Sequence, residues 1–229
     1  MPTLAIVGAG PGLGLSIARR FGREGFAVAL FARSPDKLAL LVAELVAVGV
    51  TARAYPADVT VPDSLTGALV AAERELGPID VLEYSPAPAG PGSSTLAPVT
   101  ATDLTVDSVA PQIQYYLYGA ISAVQAVLPQ MRARRSGTIL VTTGASSGPL
   151  LHPPFGNIAA ATGALRNWVL NLHEALRDDD VYAAHVAIAA WIGHGGPDSD
   201  PDRIADQYWD LYQRRDHAEL FWQDSSMAL

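Results

Sequence analysis

The sequence predicts a doubly wound α/β fold, a parallel sheet of about seven strands with helices on both faces. Strand-like and helix-like segments alternate along the 229 residues, as in repeated strand–helix units. Most strand-like segments are apolar throughout, which is typical of a sheet covered on both faces. A glycine-rich turn, Gly8 to Gly14, joins the first strand to the first helix. We expect one domain over residues 1–229, with a ligand crevice beyond the ends of the first and fourth strands.

The first half of the chain provides four strands and three helices. A helix-like stretch follows the glycines, and a second apolar strand follows Gly25. A second helix is predicted next, with Ser34 as its N-cap, Pro35 in its first turn and Asp36 as an early acid. Gly49 ends this helix. Thr60 opens a third helix, with an acid three residues later, and Gly77-Pro78 ends it. The predicted strands are 4–7, 26–31, 51–57 and 79–84.

The second half continues the alternation. A Pro/Gly/Ser-rich loop over 85–98 is long enough to cover a site. After it the pattern predicts helices over about 110–131, 158–176 and 201–214, and strands over 138–143, 184–191 and, at the sheet edge, 218–222.

The glycine turn predicts a nucleotide site and a Rossmann-type domain. Glycines let the backbone turn sharply and approach a pyrophosphate, and the positive end of the following helix attracts the anion. The strand before the turn and the helix after it are the context that this motif requires. An ordinary tight turn is the alternative. The candidate phosphate-binding residues are Gly8, Gly10, Gly12, Leu13 and Gly14.

The composition limits the classes of molecule that the protein is expected to bind. The net charge of −8 and the pI near 5.0 argue against a nucleic-acid or anionic-membrane surface. No uncharged apolar run approaches the roughly 20 residues of a membrane span. With no cysteine and no convincing histidine spacing, we predict no metal site and a cytoplasmic location.

The chain resembles the short-chain dehydrogenase/reductase family over nearly its whole length. Gly8, Gly12 and Gly14 have the family's Gly-x-x-x-Gly-x-Gly spacing, and Asp58-Val59 matches its adenine-contacting pair. The stretch from Gly119 to Met131 is similar to its long interface helix. The resemblance implies a bound nicotinamide dinucleotide, with Ser85 also at the cofactor, and a homodimer or homotetramer.

The end of the second strand favours NADP(H) over NAD(H). An acid about 20 positions past the glycines would take the ribose 2′-hydroxyl, whereas Ala32-Arg33-Ser34 stands here. A guanidinium suits a 2′-phosphate. We therefore expect Arg33 and Ser34 to bind that phosphate, the alternative being that Arg33 is a solvated charge.

The catalytic half departs from the family pattern. The resemblance places Ile158 and Thr162 where the family has its Tyr and Lys, and neither side chain can exchange a proton in their place. The family's serine falls at Gly144 or Ala145, beside Thr143 and Ser146. The remaining departures are Val7 for a threonine, Tyr116 for an asparagine, Tyr84-Ser85-Pro86-Ala87 for Asn-Asn-Ala-Gly, and Ala190-Trp191-Ile192 for the Pro-Gly region.

Few side chains remain to exchange a proton. Tyr116 and His152 are the candidate catalytic residues, although Tyr116 also fits a helix interface and His152 a solvated loop. We expect the substrate pocket to include Tyr84, Thr143, Asn157 and Trp191, with helix capping as the alternative role of Asn157.

These observations favour an NADP(H)-dependent oxidoreductase with a non-standard active site, which reduces a carbonyl or an imine. Hydride transfer to an iminium ion needs no proton donor in that step. Two other hypotheses fit: a catalytically silent NADP(H) sensor, and a non-redox enzyme on the same fold.

Overall fold

The computed structural model describes residues 1–87 and 94–225. Its seven strands form one parallel sheet in the order β3-β2-β1-β4-β5-β6-β7, which confirms the predicted fold. The strands are β1 (Thr3–Val7), β2 (Ala27–Ala32), β3 (Ala52–Pro56), β4 (Ile79–Tyr84), β5 (Gly137–Gly144), β6 (Val181–Ala189) and β7 (Glu219–Gln223). The predicted loop 85–98 lies partly outside the described residues.

Helices cover both faces, because alternate residues of each strand point to opposite sides. The helices are α1 (Leu13–Arg23), α2 (Pro35–Ala47), α3 (Pro62–Leu76), α4 (Val106–Gln112), α5 (Gly119–Arg134), α6 (Gly156–Ala175) and α7 (Pro201–Arg214). Leu4 and Ile6 of β1 pack with α1, α2 and α7, whereas Ala5 and Val7 pack with α3, α5 and α6.

The region predicted as one helix over 110–131 is instead interrupted. Between α4 and α5 the residues Ile113–Tyr118 form a π-helical segment. Pro111 lies inside α4, where its ring removes a backbone donor. Gly119 lies against Val59 and the hydroxyl of Tyr84, so that a side chain would not fit there. A π-helical segment has more residues per turn than an α-helix, so it rotates the side chains that follow it about the helix axis.

Strand β1 pairs with both β2 and β4, which makes its end the point where strand order reverses. Val7 is in register with Phe31 on one side and with Tyr84 on the other. A crevice opens beyond the carboxyl ends of such strands. The sheet thus brings the glycine turn, the end of β2 and the end of β4 together.

Candidate functional site

A cavity of about 810 Å³ lies at this reversal point. The glycine turn forms one end of it and the start of α2 forms the other. Its apolar walls include Phe31, Ala57, Val59 and Leu65. The size and the mainly apolar lining suit a small-molecule or cofactor site.

The first glycine fixes the shape of the turn. Gly8 has φ +100°, and its N–H and that of Ala9 donate to the Phe31 carbonyl at 2.9 and 3.0 Å. A Cβ at Gly8 would lie 2.5 Å from the Cα of Pro86. The turn after β1 and the chain after β4 therefore touch, and only glycine permits this contact.

The next residues of the turn are open to a ligand. A Cβ at Gly10 or at Gly12 would meet no protein atom within 4 Å, and Gly10 lines the cavity. Gly12 precedes α1, no side chain caps this helix, and Leu13 and Gly14 are its first residues. Free N–H groups and the helix dipole at such an end attract an anion.

The opposite end of the cavity is basic. Arg33, Ser34 and Lys37 line it, and Ser34 also accepts a hydrogen bond from the Lys37 backbone N–H at 3.4 Å. The lining acid, Glu44, pairs with Arg19 at 2.8 Å. Sequence analysis missed Lys37, although it lies one helical turn after Arg33.

The wall between these ends includes Val59 and Tyr115. Burial raises the pKa of Tyr115 to about 12, with Arg33 acting to lower it and Asp58 to raise it. The Asp58 carboxylate accepts from the backbone N–H and hydroxyl of Thr60, at 2.9 and 2.7 Å. Asp58 thus fixes the loop after β3 through these hydrogen bonds, and the Val59 side chain forms part of the apolar wall of the cavity.

A buried carboxyl lies at the end of β4. Glu83 is inaccessible to solvent and accepts hydrogen bonds from Ser85 at 2.9 Å and from Thr142 at 3.0 Å. Thr142 is also 2.7 Å from the hydroxyl of Tyr208. Burial raises the pKa of Glu83 to about 8. The hydroxyl of Ser85, a predicted cofactor residue, therefore also serves an interior network.

A second polar network crosses β5, β6 and β7 on the face covered by α6. His185 is fully buried, with Nε2 2.8 Å from the hydroxyl of Thr143 and Nδ1 2.9 Å from Oε1 of Glu219. Arg166 of α6 donates twice to the same carboxylate, at 2.5 and 2.6 Å. Sequence analysis missed this network, because it depends on the pairing of distant strands.

Arg166 and burial set the ionisation of this network. Hydrogen bonds from Arg166 hold the pKa of Glu219 below its usual range. Burial lowers the pKa of His185, more than the Glu219 carboxylate raises it. Near neutral pH the network therefore contains an ionised carboxylate and a neutral imidazole.

Two predicted pocket residues lie elsewhere. Tyr84 is completely buried and donates to the Tyr115 carbonyl at 2.8 Å, because alternation along β4 points it into the core. Asn157 accepts from Val99 N–H and donates to the Ala97 and Ser108 carbonyls. It fastens a loop and α4 to α6. Both side chains make structural hydrogen bonds, and a substrate contact by either stays a prediction.

The predicted proton donors lie in different environments. Tyr116 is buried in the core with its ring against Tyr115, and burial raises its pKa further above the usual phenol value. His152 is exposed and its ring packs on Phe155 at 4.5 Å. Trp191, also a predicted pocket residue, is 68% exposed after β6.

The positions where the family has Tyr and Lys hold no titratable group. Ile158 packs against the core, and the Thr162 hydroxyl donates to the Ile158 carbonyl at 2.8 Å within α6. Among residues 1–87 and 94–225, no group of three or more His, Asp or Glu side chains could hold a metal ion. No helix in that part of the chain is long and apolar enough to cross a membrane.

Comparison with known proteins decides the family. Residues 2–191 match the family model of the short chain dehydrogenases. The chain belongs to this family. An oxidoreductase of Sarocladium schorii is 32% identical over 180 residues, which cover 78% of this chain and 68% of that protein. A 2,3-dihydro-2,3-dihydroxybenzoate dehydrogenase of Bacillus subtilis is 32% identical over 142 residues, which cover 62% of this chain and 51% of that protein. The resemblance found in the sequence is thus confirmed.

Solved structures agree over the whole fold. A short-chain dehydrogenase from Rhodopseudomonas palustris is 26% identical with a TM-score of 0.81, and the match covers 97% of this chain and 98% of that one. An alcohol dehydrogenase from Thermococcus sibiricus, complexed with 5-hydroxy-NADP, is 25% identical with a TM-score of 0.83 over 100% and 99% of the chains. The family fold is therefore present from β1 to β7.

Proposed function

We propose that the protein is an NADP(H)-dependent oxidoreductase with a non-standard active site. The observation that carries this proposal is the cavity with an open glycine turn at one end and a basic cluster at the other. A dinucleotide phosphate needs an anion site at each of these places. The residues present fit the cofactor, and the similar alcohol dehydrogenase holds an NADP derivative.

The chain holds the cofactor through two sets of contacts. The N–H groups from Gly10 to Gly14 bind the pyrophosphate at the start of α1. Arg33, Ser34 and Lys37 bind the 2′-phosphate, which favours NADP(H) over NAD(H). Val59 packs on the adenine, and Ser85 lies toward the nicotinamide end. When bound, NADPH supplies a hydride for reduction.

The substrate is a small carbonyl or imine compound. Ile158 and Thr162 provide no acid, so an iminium ion, which is already cationic, is the acceptor that needs least from the protein. For a carbonyl substrate, Tyr116 and His152 remain the predicted donors. A loss of turnover in Tyr116→Phe or His152→Ala would support that assignment, and full activity in both variants would remove it.

Cofactor binding is tested by titrating the purified protein with NADPH and with NADH while following nicotinamide fluorescence. We expect tighter binding of NADPH. Gly10→Ala places a methyl group in the cavity and should weaken NADPH binding at least tenfold, at unchanged stability. Gly25→Ala, at a turn far from the cavity, is the matched control and should bind as the wild type does. Binding of neither nucleotide would overturn the proposal.

Turnover is tested by following NADPH consumption with 2-methyl-1-pyrroline and 4-nitrobenzaldehyde between pH 5 and pH 9. Reduction of either probe supports the oxidoreductase. Tight NADPH binding without consumption would favour the sensor, which the absence of Tyr and Lys from α6 also fits. We further propose a cytoplasmic homodimer or homotetramer formed through residues 113–128 and 164–176, which light scattering on the eluting protein tests.

A further inference from the structure

We propose that Thr143, His185 and Glu219 form a proton relay that serves the substrate oxygen in place of the missing Tyr and Lys. The three side chains make a continuous chain from hydroxyl to imidazole to carboxylate. The inference rests on the proposed function, which supplies the hydride. It assigns the proton donor to the end of β5 rather than to Tyr116 or His152, with Thr143 as the catalytic residue.

The position of Thr143 fits this role. It is the second-last residue of β5, whose carboxyl end borders the crevice. It is 5% exposed, the following Gly144 is exposed, and a Cβ at Gly144 would meet no protein atom within 4 Å. Thr143 thus lies directly before the exposed end of β5.

The hydrogen bonds fix the direction of the relay. The ionised Glu219 carboxylate only accepts, so Nδ1 of His185 carries the proton between them. With the imidazole neutral, Nε2 presents a lone pair to Thr143, and the Thr143 hydroxyl, which also lies 3.1 Å from the Gly144 carbonyl oxygen, donates to Nε2 at 2.8 Å. A hydroxyl that donates to a neutral imidazole held by a carboxylate is a polarised hydroxyl.

Arg166 and Glu219 are positioning residues. The paired hydrogen bonds from Arg166 fix the carboxylate, and the carboxylate fixes the ring of His185. They are also the charged groups that act on the imidazole, from α6 and β7. The neighbouring strand β5 contributes the uncharged Thr143. His185 is therefore the group of the relay whose protonation changes with pH.

The proton balance is complete in both directions. In reduction, the carbonyl carbon takes a hydride from NADPH and the carbonyl oxygen takes the Thr143 hydroxyl proton. The Thr143 oxygen then takes the Nε2 proton of protonated His185, which water replaces before the next turnover. In oxidation, the alcohol proton passes to Thr143, the Thr143 proton passes to Nε2, and the hydride passes to NADP⁺. Protonated His185 then gives the extra proton to water before the next turnover.

The first test uses the protein without cofactor. Histidine labelled with ¹⁵N and observed by long-range ¹H–¹⁵N correlation should show His185 with its proton on Nδ1 at pH 7.5. In Glu219→Gln the neutral amide no longer fixes that tautomer, so a mixture is expected. A neutral ring with its single proton on Nε2 in the wild type would overturn the relay, because Nδ1 would then hold no proton for the Glu219 carboxylate to accept.

The second test compares two probes in one variant. Thr143→Val should reduce 4-nitrobenzaldehyde at least 100-fold more slowly, as expected for loss of a general acid. The same variant should keep NADPH binding and 2-methyl-1-pyrroline reduction within threefold, because an iminium ion needs no proton in the hydride step. Thr143→Ser should restore aldehyde reduction to within tenfold of the wild type.

A purely structural network would behave differently. Thr142→Val removes a half-buried hydroxyl from the other face of β5 and serves as the matched control for folding. Wild-type aldehyde reduction should rise as the pH falls through the pKa of His185, below its usual value, and Thr143→Val should lose this dependence. Equal aldehyde rates in wild type and Thr143→Val, or a wild type that reduces only the imine, would overturn the relay. Failure to bind NADPH would instead overturn the proposed function.

Discussion

Thr142 of β5 donates a hydrogen bond of 3.0 Å to the carboxyl group of Glu83 on the neighbouring strand β4. The pair lies on the α7 side of the sheet, with the Tyr208 hydroxyl next to Thr142. No described basic side chain contributes to the environment of this carboxyl. Glu83 is therefore stable in the sheet mainly as a neutral acid.

Glu83 should make the stability fall as the pH rises. The native pKa is about 8, against 4.5 for an ordinary glutamic acid, so between these values the native state keeps a proton that the unfolded chain loses. The stability lost over this range is on the order of 5 kcal/mol. Urea unfolding of the wild type between pH 4 and pH 9 should show it.

The variant Glu83→Gln keeps the shape of the side chain without a charge, so its stability should change much less over this range. Glu24→Gln, on the surface, should keep the wild-type slope. Parallel curves for the wild type and Glu83→Gln would contradict the prediction.

Gly8→Ala should lower stability by about 2 to 4 kcal/mol. An alanine there has both a left-handed backbone and a Cβ 2.5 Å from Pro86. Gly25 has φ +88° with no atom near its Cβ position, so Gly25→Ala should lose only about 1 kcal/mol. Thermal unfolding of both variants separates the stability cost of the left-handed backbone from that of the steric clash with Pro86. Equal losses of stability in the two variants would show that Pro86 moves enough to relieve the clash.

The order of the elements followed from local sequence, whereas the polar networks did not. Apolar strands and glycine turns predicted all seven strands, although β6 begins three residues earlier than expected. Glu83 lies within a predicted strand, and of its two hydrogen-bond partners Ser85 is close in sequence whereas Thr142 lies 59 residues further along the chain. The pairing of His185 with Glu219 likewise depends on the register of β6 against β7, which no local pattern fixes. The burial of Tyr84 follows from the alternation along β4, which points its side chain inward.

Arg33→Ala should weaken NADPH binding about 10- to 100-fold, which corresponds to about 1.4 to 2.8 kcal/mol, and leave NADH binding nearly unchanged. The reason is that only NADPH carries the 2′-phosphate. Lys37→Ala should act in the same sense with a smaller effect. Arg53→Ala, an exposed arginine of β3 paired with Glu75, is the control. Equal weakening of both nucleotides would place Arg33 elsewhere on the cofactor.

Asn157→Leu should destabilise the fold by about 2 to 4 kcal/mol, because it leaves several backbone groups around the loop and α4 without their hydrogen bonds. Asn171→Ala is a suitable control, since the Asn171 amide bonds only to Asn167 in its own helix. Urea denaturation measures both. A loss of turnover at unchanged stability in Asn157→Leu would instead indicate a substrate contact.

Glu219, which orients the imidazole of His185, belongs to the last strand of the sheet. A ribosome therefore releases β5, β6 and α6 before it releases the residue that holds this ring. Until then Arg166 has no carboxylate to bind, and the nascent sheet ends at an open edge. Order in the interior of the sheet thus arrives only when β7 has been synthesised, and a ribosome-bound chain stopped before β7 should lack it.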